Sequence, residues 1–239
     1  MTGKRVLITG VSRGLGQGLV RVHLEEGWEV LGVGRSEPPE ITNQDGFSFL
    51  KLDLSQLGSI ANAVGEFTAM HGRPSRVFLN AGVLGEIQDL RDTDLAELQS
   101  ILDVNVWANK ELLDALCSQP EKPNQVIAIS SGASVNGHRG WGGYAISKAA
   151  LNMLVQLYAA EVPETHFVSL APGLVDTAMQ DYMYSEPDVR KFPSVQRLRD
   201  ARYTDAMPEP VEAARRIVAR LDDLRQYSSG SFVDIRKMK

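Results

Sequence analysis

Short runs of β-branched and other apolar residues alternate with longer amphipathic stretches along the chain, and this alternation limits the possible folds more than any other feature. Such a pattern predicts βαβ units, and therefore a parallel sheet with helices on both faces. The predicted strands lie at 6–8, 28–33, 47–52, 77–79, 126–129, 167–170 and 231–233, and the predicted helices at 15–26, 60–70, 95–116, 144–160 and 211–224.

Two stretches depart from the alternation. Where a second crossover helix would begin, Pro38 and Pro39 leave room only for a loop or a single turn. Residues 179–207 carry five basic residues and are too long for an ordinary connection. A lid or binding loop is typical of that length, and a solvated insertion is the alternative. Since no linker separates two domains, we expect a single domain over 1–239 with a lid-like substrate segment at 179–207.

The first predicted strand runs into a glycine-rich turn that is followed by a helix. Gly10 allows the tight turn, Gly14 lets a pyrophosphate approach the backbone, and Gly16 lets the helix pack close to the strand. The free N–H groups at the start of the helix would face the phosphates. We therefore predict a dinucleotide site in this turn, which also contains Ser12, Arg13 and Leu15.

The second predicted strand ends without the Asp or Glu that would bond the ribose 2′-hydroxyl of NAD. Arg35 stands at this strand end, and Arg13 lies in the glycine-rich turn. Two guanidinium groups suit a 2′-phosphate, which a carboxylate would repel. The sequence thus favours NADP over NAD, with two ordinary surface arginines as the alternative.

Two further strand ends are candidates for the adenosine half of the nucleotide. Asp53, followed by Leu54, comes after the third strand, where a carboxylate can accept a hydrogen bond from the adenine amine. The alternative for Asp53 is a helix cap or turn residue. The small residues after the fourth strand would leave room for the ligand; they are Asn80, Ala81 and Gly82.

Tyr144 and Lys148 lie four residues apart in a predicted helix and therefore share one face. The pKa of a free tyrosine is about 10, and a nearby positive charge lowers it. Tyr144 would then be a general acid/base near neutral pH. Ser131 ends the fifth strand and could hydrogen-bond the same substrate oxygen. Asn105 is a further candidate, with a helix cap or a buried polar residue as the alternative.

Together these motifs resemble the short-chain dehydrogenase/reductase family over essentially the whole chain. The resemblance rests on their order and separations, including a Pro-Gly-x-x-x-Thr segment at 172–177. It implies a three-layer α/β fold of the Rossmann type, with a doubly wound parallel sheet of seven strands. It also implies that Pro172, Gly173, Val175 and Thr177 lie at the nicotinamide of the cofactor.

The same resemblance implies a catalytic tetrad. Tyr144 would donate the proton, and Ser131 would polarise the substrate carbonyl. Lys148 would lower the phenol pKa and bind the nicotinamide ribose. Tyr144 would contact the cofactor as well. Asn105 would hold a proton-relay water.

A narrower resemblance connects the chain with the sepiapterin reductase-like branch of the family. It rests on Gly140-Trp141 and on residues 172–180, 188–191 and 229–234. This branch implies a homodimer that uses NADPH to reduce pterin side chains and vicinal dicarbonyls. The implied substrate site contains Ser131, Trp141, Tyr144 and Met179, with Asp234 anchoring a pterin. A salt bridge between Asp234 and Arg236 or a neighbour is the alternative.

Composition limits the other classes of function. Lys plus Arg number 25 and Asp plus Glu 30, a net charge of −5, so no broad basic surface for nucleic acid or anionic lipid is expected. A lone cysteine and four scattered histidines make a metal site unexpected. The first apolar run is too short for a signal peptide or a membrane span. We expect a cytoplasmic protein, and the broad apolar surface of the 144–160 helix predicts a homodimer or homotetramer.

We therefore predict an NADPH-dependent carbonyl reductase whose partner is a small ketone or vicinal dicarbonyl. The alternatives within the family are an alcohol dehydrogenase and a 3-oxoacyl-thioester reductase. The alternative from another class is a non-catalytic NADPH sensor, which would have no need for Ser131, Tyr144 and Lys148 together.

Overall fold

The computed structural model describes residues 4–185 and 187–238, and within them seven parallel strands form one sheet. The spatial order is β3-β2-β1-β4-β5-β6-β7. The strands are β1 (Arg5–Thr9), β2 (Glu29–Gly34), β3 (Phe47–Lys51), β4 (Arg76–Leu79), β5 (Gln125–Ile129), β6 (His166–Ala171) and β7 (Ser231–Asp234).

Helices cover both faces of the sheet, as the alternating pattern predicts. Their bounds are α1 (Gly14–Glu25), α2 (Ile60–His71), α3 (Leu95–Leu102), α4 (Ala108–Cys117), α5 (Gly142–Glu161), α6 (Ala178–Ser185), α7 (Pro193–Ala201), α8 (Pro210–Val218) and α9 (Leu221–Leu224). In the described part of the chain, no helix is both long enough and apolar enough to cross a membrane.

Successive residues of each central strand enter opposite cores, which explains why these strands are apolar throughout. Val6 and Ile8 of β1 pack in one core with α1, α8 and α9. Leu7, between them, packs in a second core with α2, α4 and α5. Side chains alternate across a strand, so a strand covered on both faces has no solvent-facing position. The predicted three-layer, doubly wound α/β fold is confirmed.

The helical content of three segments differs from the prediction. The 179–207 segment, expected to be irregular, contains α6 and α7, although Glu186 lies outside the described residues. Pro193 begins α7, where its fixed φ suits the first helical turn. The predicted 211–224 helix is divided into α8 and α9. The predicted 95–116 helix contains a π-helical turn, Asp103–Trp107, between α3 and α4.

The strand order places a crevice at one edge of the sheet. From β1 the chain first builds outward through β2 and β3, and then returns to the other side of β1 with β4. The connection that follows β1 and the connection that follows β4 therefore run in opposite directions across the sheet. Ligands of open α/β sheets bind at such a reversal, outside the carboxyl ends of the strands.

Candidate active site

A cavity of about 650 Å³ lies at this crevice and gathers nearly all the predicted site residues. Of that set, only Asn105 and Asp234 are absent from its lining. The predicted residues that line it are Gly10, Ser12, Arg13, Gly14, Leu15, Gly16, Arg35, Asp53, Leu54, Asn80, Ala81, Gly82, Ser131, Trp141, Tyr144, Lys148, Pro172, Gly173, Val175, Thr177 and Met179.

The glycine-rich turn admits no side chain at its two ends. A Cβ on Gly10, whose φ is 72°, would lie 2.9 Å from the Cα of Ala81. A Cβ on Gly16 would lie 2.1 Å from the carbonyl oxygen of Gly10. The turn therefore brings β1, α1 and the chain after β4 into backbone contact, as the predicted spacing requires.

Thr9 and Asn80 hold this contact together. Thr9 Oγ1 accepts hydrogen bonds from the backbone N–H groups of Asn80 and Ala81, each at 3.0 Å. The Asn80 side chain donates to the carbonyl oxygens of Thr9 at 2.9 Å and Gly10 at 3.3 Å. Asn80 thus stabilises the turn itself, a role that the sequence interpretation missed.

The nucleotide end of the cavity fits a phosphate-bearing ligand. The side chain of Arg13, which precedes α1, makes no capping hydrogen bond to the first N–H groups of this helix. Arg13 and Arg35 are exposed at the cavity, and neither makes a hydrogen bond or ion pair to the rest of the described chain. Asp53 accepts hydrogen bonds from the backbone and hydroxyl of Ser55 at 3.0 and 2.9 Å. These bonds, with a smaller effect of Arg35, lower the pKa of Asp53.

Tyr144 and Ser131 meet at the other end of the cavity. Tyr144 lies in the first turn of α5, and its phenol lies close to the side chain of Ser131 in the cavity. Burial raises the pKa of Tyr144, and the nearby Ser131 hydroxyl offsets part of this effect. The net shift of the phenol pKa is therefore upward, opposite to the predicted lowering, because burial disfavours the charged phenolate. A raised pKa keeps the phenol protonated near neutral pH, as a proton donor requires.

Lys148 lies one turn further along α5, with its ammonium inside the protein. Its Nζ donates to the carbonyl oxygen of Ile129 at 2.8 Å and lies 5.7 Å from the centroid of the Tyr144 ring. Burial lowers the pKa of Lys148 to about 8. The ammonium is thus still charged at neutral pH, close to the proton donor.

A chain of hydrogen bonds from α5 positions Ser131. Asn152 accepts from the Ser130 hydroxyl at 2.6 Å and donates to the Ser134 hydroxyl at 2.9 Å. Ser134 in turn donates to the carbonyl oxygen of Ser131 at 2.7 Å. The strand end that carries Ser131 is therefore tied to the helix that carries Tyr144.

Asn105 is buried behind the cavity, in the π-helical turn. Its side chain accepts from the N–H of Val83 and donates to the carbonyl oxygen of Val83, both at 2.8 Å. It also donates to Ser147 Oγ at 2.9 Å. Its backbone carbonyl accepts from the Asn109 side chain at 2.8 Å. The side chain therefore joins the loop after β4 to α5, which matches the alternative of a buried polar residue.

The substrate end has an apolar wall made by α6, α7 and the residue that precedes α5. Trp141, Met179, Met183 and Leu198 line it. The Trp141 indole donates to Ser194 at 2.8 Å and so connects the start of α5 to α7. Trp141 and Met179 were predicted as substrate-site residues. Met183 and Leu198 could not be predicted, because their place in the wall depends on the helices formed within residues 179–207.

Asp234 does not reach the cavity. Its carboxylate binds the guanidinium of Arg236 through two hydrogen bonds, at 2.9 and 2.7 Å, as in the alternative prediction. Arg236 itself lines the cavity, together with His138 and Arg197. Sequence reasoning missed these three as site residues, because no motif distinguishes them from surface residues.

Known proteins are similar to this chain in sequence. The family model described as short chain dehydrogenase matches residues 4–188. A benzil reductase ((S)-benzoin forming) of Saccharomyces cerevisiae is 36% identical over 196 residues, which cover 74% of each chain. A sepiapterin reductase of Mus musculus is 28% identical over 253 residues, which cover 95% of each chain.

A solved structure extends the similarity to three dimensions. The crystal structure of a short chain dehydrogenase/reductase from Saccharomyces cerevisiae superposes with a TM-score of 0.85 at 26% identity. It covers 98% of this chain and 97% of its own. The family match and the shared fold agree, and the chain belongs to the short-chain dehydrogenase/reductase family of nicotinamide-dependent oxidoreductases.

Proposed function

We propose that the protein is an NADPH-dependent carbonyl reductase that acts on ketones or vicinal dicarbonyls. The observation that carries this proposal is the placement of the Ser131 and Tyr144 side chains close together in the cavity, with the buried ammonium of Lys148 beside them. A protein that only sensed NADPH would gain nothing from burying this set. The whole of residues 1–239 would act as one domain, with 179–207 as the lid over the substrate.

When bound, the nicotinamide cofactor supplies the hydride for the reduction. Tyr144 donates the phenol proton to the oxygen of the carbonyl, so that the ketone gains one hydride and one proton and becomes an alcohol. Ser131 hydrogen-bonds the same oxygen and polarises the carbonyl. Lys148 stabilises the phenolate that remains on Tyr144, since its charge lies close to the ring.

The charge distribution at the nucleotide end supports NADPH over NADH. Arg13 and Arg35 both line the cavity there without partners among the described residues, and β2 ends without a carboxylate. A 2′-phosphate would bind these guanidinium groups, whereas the ribose hydroxyl of NAD would lack its usual acceptor.

The substrate class is supported by the apolar wall and by the names of the relatives. Benzil reductases and sepiapterin reductases act on vicinal dicarbonyls and on a pterin, respectively, as their names state. The cavity of this chain offers Trp141, Met179, Met183 and Leu198 to such a substrate. Closure of the lid would exclude water from the reacting carbonyl.

We also propose that the enzyme is a cytoplasmic homodimer or homotetramer. Ile146, Met153 and Leu157 are exposed along one side of α5, and Trp107 is exposed in the π-helical turn. An apolar stripe of this kind on a helix is typical of a surface that a second subunit covers.

A substrate panel tests the proposal. We expect oxidation of NADPH, followed by its absorbance, with benzil and sepiapterin, and slower oxidation of NADH. Turnover of a 3-oxoacyl thioester in preference to both diketone and pterin would favour the alternative reductase. Oxidation of a secondary alcohol with NADP⁺ in preference to any reduction would favour the alcohol dehydrogenase. If NADPH binds but no carbonyl in the panel is reduced, the proposal is wrong.

A further inference from the structure

Arg236 is held at the substrate end of the cavity, beside the serine of the Ser–Tyr pair. It lies in the turn Ile235–Lys237 directly after β7. Its Cδ would be 3.3 Å from a Cβ on Gly173, and its Nη2 would be 3.9 Å from a Cβ on Gly132. Gly132 follows Ser131 in the chain, so the guanidinium lies next to the carboxyl end of β5.

Asp234 fixes the orientation of this guanidinium. It accepts from Nε and Nη2 of Arg236 through separate oxygens, and also from the Arg236 backbone N–H at 3.1 Å. Asp234 is buried, whereas the Arg236 side chain is 57% exposed. A guanidinium has five N–H donors, and two of them are taken. The remaining donors are free to bind a ligand in the cavity.

We infer that Arg236 is a specificity-determining residue that donates a hydrogen bond to the second oxygen of a vicinal dicarbonyl, while Ser131 and Tyr144 bind the first. This inference rests on the proposed function and names its substrate class. The two oxygens of such a substrate are carried by adjacent carbons. Arg236 lies beside Gly132, the residue that follows Ser131, and lines the same cavity.

The polarity of the Asp234–Arg236 pair selects among the possible substrates. The pair presents N–H donors and has no net charge, so it suits a neutral ketone oxygen. An α-oxo acid would bring a carboxylate to a guanidinium whose charge Asp234 already balances, so the pair gives it no net charge attraction. A pterin would present N–H donors of its own, but the carboxylate of Asp234 already accepts from Arg236 and does not line the cavity. The structure thus favours a diketone over both a pterin and an α-oxo acid.

Benzil and deoxybenzoin form a matched pair for the test, because deoxybenzoin has a methylene where benzil has its second carbonyl. We compare kcat/KM for both with saturating NADPH in the wild type, in Arg236→Met and in Lys237→Met. Met keeps the methylene packing of Arg236 against Gly173 but has no donor. Lys237 is exposed, does not line the cavity and serves as the control.

We expect Arg236→Met to lower the benzil-to-deoxybenzoin ratio of kcat/KM by roughly 10- to 100-fold, the range for a hydrogen bond from a charged donor. The ratio should stay unchanged in Lys237→Met. The greater intrinsic reactivity of benzil cancels, since it is the same for every variant. If Arg236→Met lowers both kcat/KM values equally, or changes neither, the inference is wrong.

Two further measurements separate the remaining outcomes. Asp234→Asn leaves the guanidinium charge uncompensated, and we expect phenylglyoxylate to gain several-fold in kcat/KM relative to benzil. If Arg236→Met does not fold, Arg236→Lys, which keeps the charge but loses the fork, should lower the same ratio. A wild type that reduces neither ketone refutes the proposed function, whereas an unchanged ratio in an active variant refutes only the role of Arg236.

Discussion

The packing of Gly16 in α1 predicts a large and specific response to a single methyl group. A Cβ on Gly16 would lie 2.1 Å from the Gly10 carbonyl oxygen and 2.6 Å from the Asn80 side-chain nitrogen. Ordinary contact begins at 3.4 Å, so the turn and the helix would have to separate by about 1.3 Å. That movement would also stretch the hydrogen bonds by which Asn80 holds Thr9 and Gly10.

The magnitude follows from two opposing effects. Alanine is favoured over glycine within a helix by roughly 0.5–1 kcal/mol. Forcing an extra methyl into a close-packed contact costs about 1–3 kcal/mol, and the weakened hydrogen bonds add about 1 kcal/mol. We therefore expect Gly16→Ala to lower the free energy of unfolding by about 1–3 kcal/mol, which for a chain of this size lowers Tm by roughly 2–12 °C.

Gly65 provides the matched control, because it also lies within a helix, α2, and has no atom within 4 Å of its added Cβ. Gly65→Ala should therefore stabilise the protein by roughly 0.5–1 kcal/mol. Thermal melts of both variants measure the contrast. Gly16→Ala should also raise the Kd for NADPH, measured by cofactor fluorescence, while Gly65→Ala leaves it unchanged. A Gly16→Ala protein as stable as the wild type, with the same Kd, would refute the packing argument.

Four further predictions concern catalysis, cofactor choice, pH and assembly. Tyr144→Phe should reduce kcat by roughly 10²–10⁴-fold and keep the Kd for NADPH, and near-normal turnover would overturn its role as the proton donor. Arg35→Asp should weaken NADPH binding relative to NADH; a wild type that binds NADH at least as tightly as NADPH would contradict the reasoning. Burial lowers the pKa of His23 to about 4 from 6.5, so the unfolded state binds more protons as the pH falls below 6.5. From about pH 7.5 to about pH 5 the free energy of unfolding should therefore fall by about 2 kcal/mol in urea titrations, and His23→Gln should flatten this change. Met153→Asp should shift the sedimentation profile toward monomer, whereas Met70→Asp, at an exposed position of α2, should not. A wild type that sediments as a monomer at micromolar concentration would exclude the dimer.

Several parts of the site could be predicted because local rules decide them. Residues four apart on a helix share a face whatever surrounds the helix, so Tyr144 and Lys148 were placed correctly on α5. The glycine spacing reports a backbone conformation, and Gly10 indeed has a positive φ. The alternation of apolar runs sets the layers of the fold, since an apolar strand covered on both faces needs helices on both sides.

The remaining features depend on neighbours that are distant in the sequence. The raised pKa of Tyr144 comes from burial by the surrounding chain, whereas the sequence reveals only the charge of Lys148 nearby. Asn105 lies in the π-helical turn, and this turn directs its side chain toward Val83 and Ser147. No residue pattern in the sequence predicts such a turn. Asp234 and Arg236 are two residues apart, yet only the packing of β7 beside β6 determines that the arginine, and not the aspartate, lines the cavity. Periodicity records which face of an element is buried; which side chains then meet across the cavity is decided by the tertiary contacts that bring separate elements together.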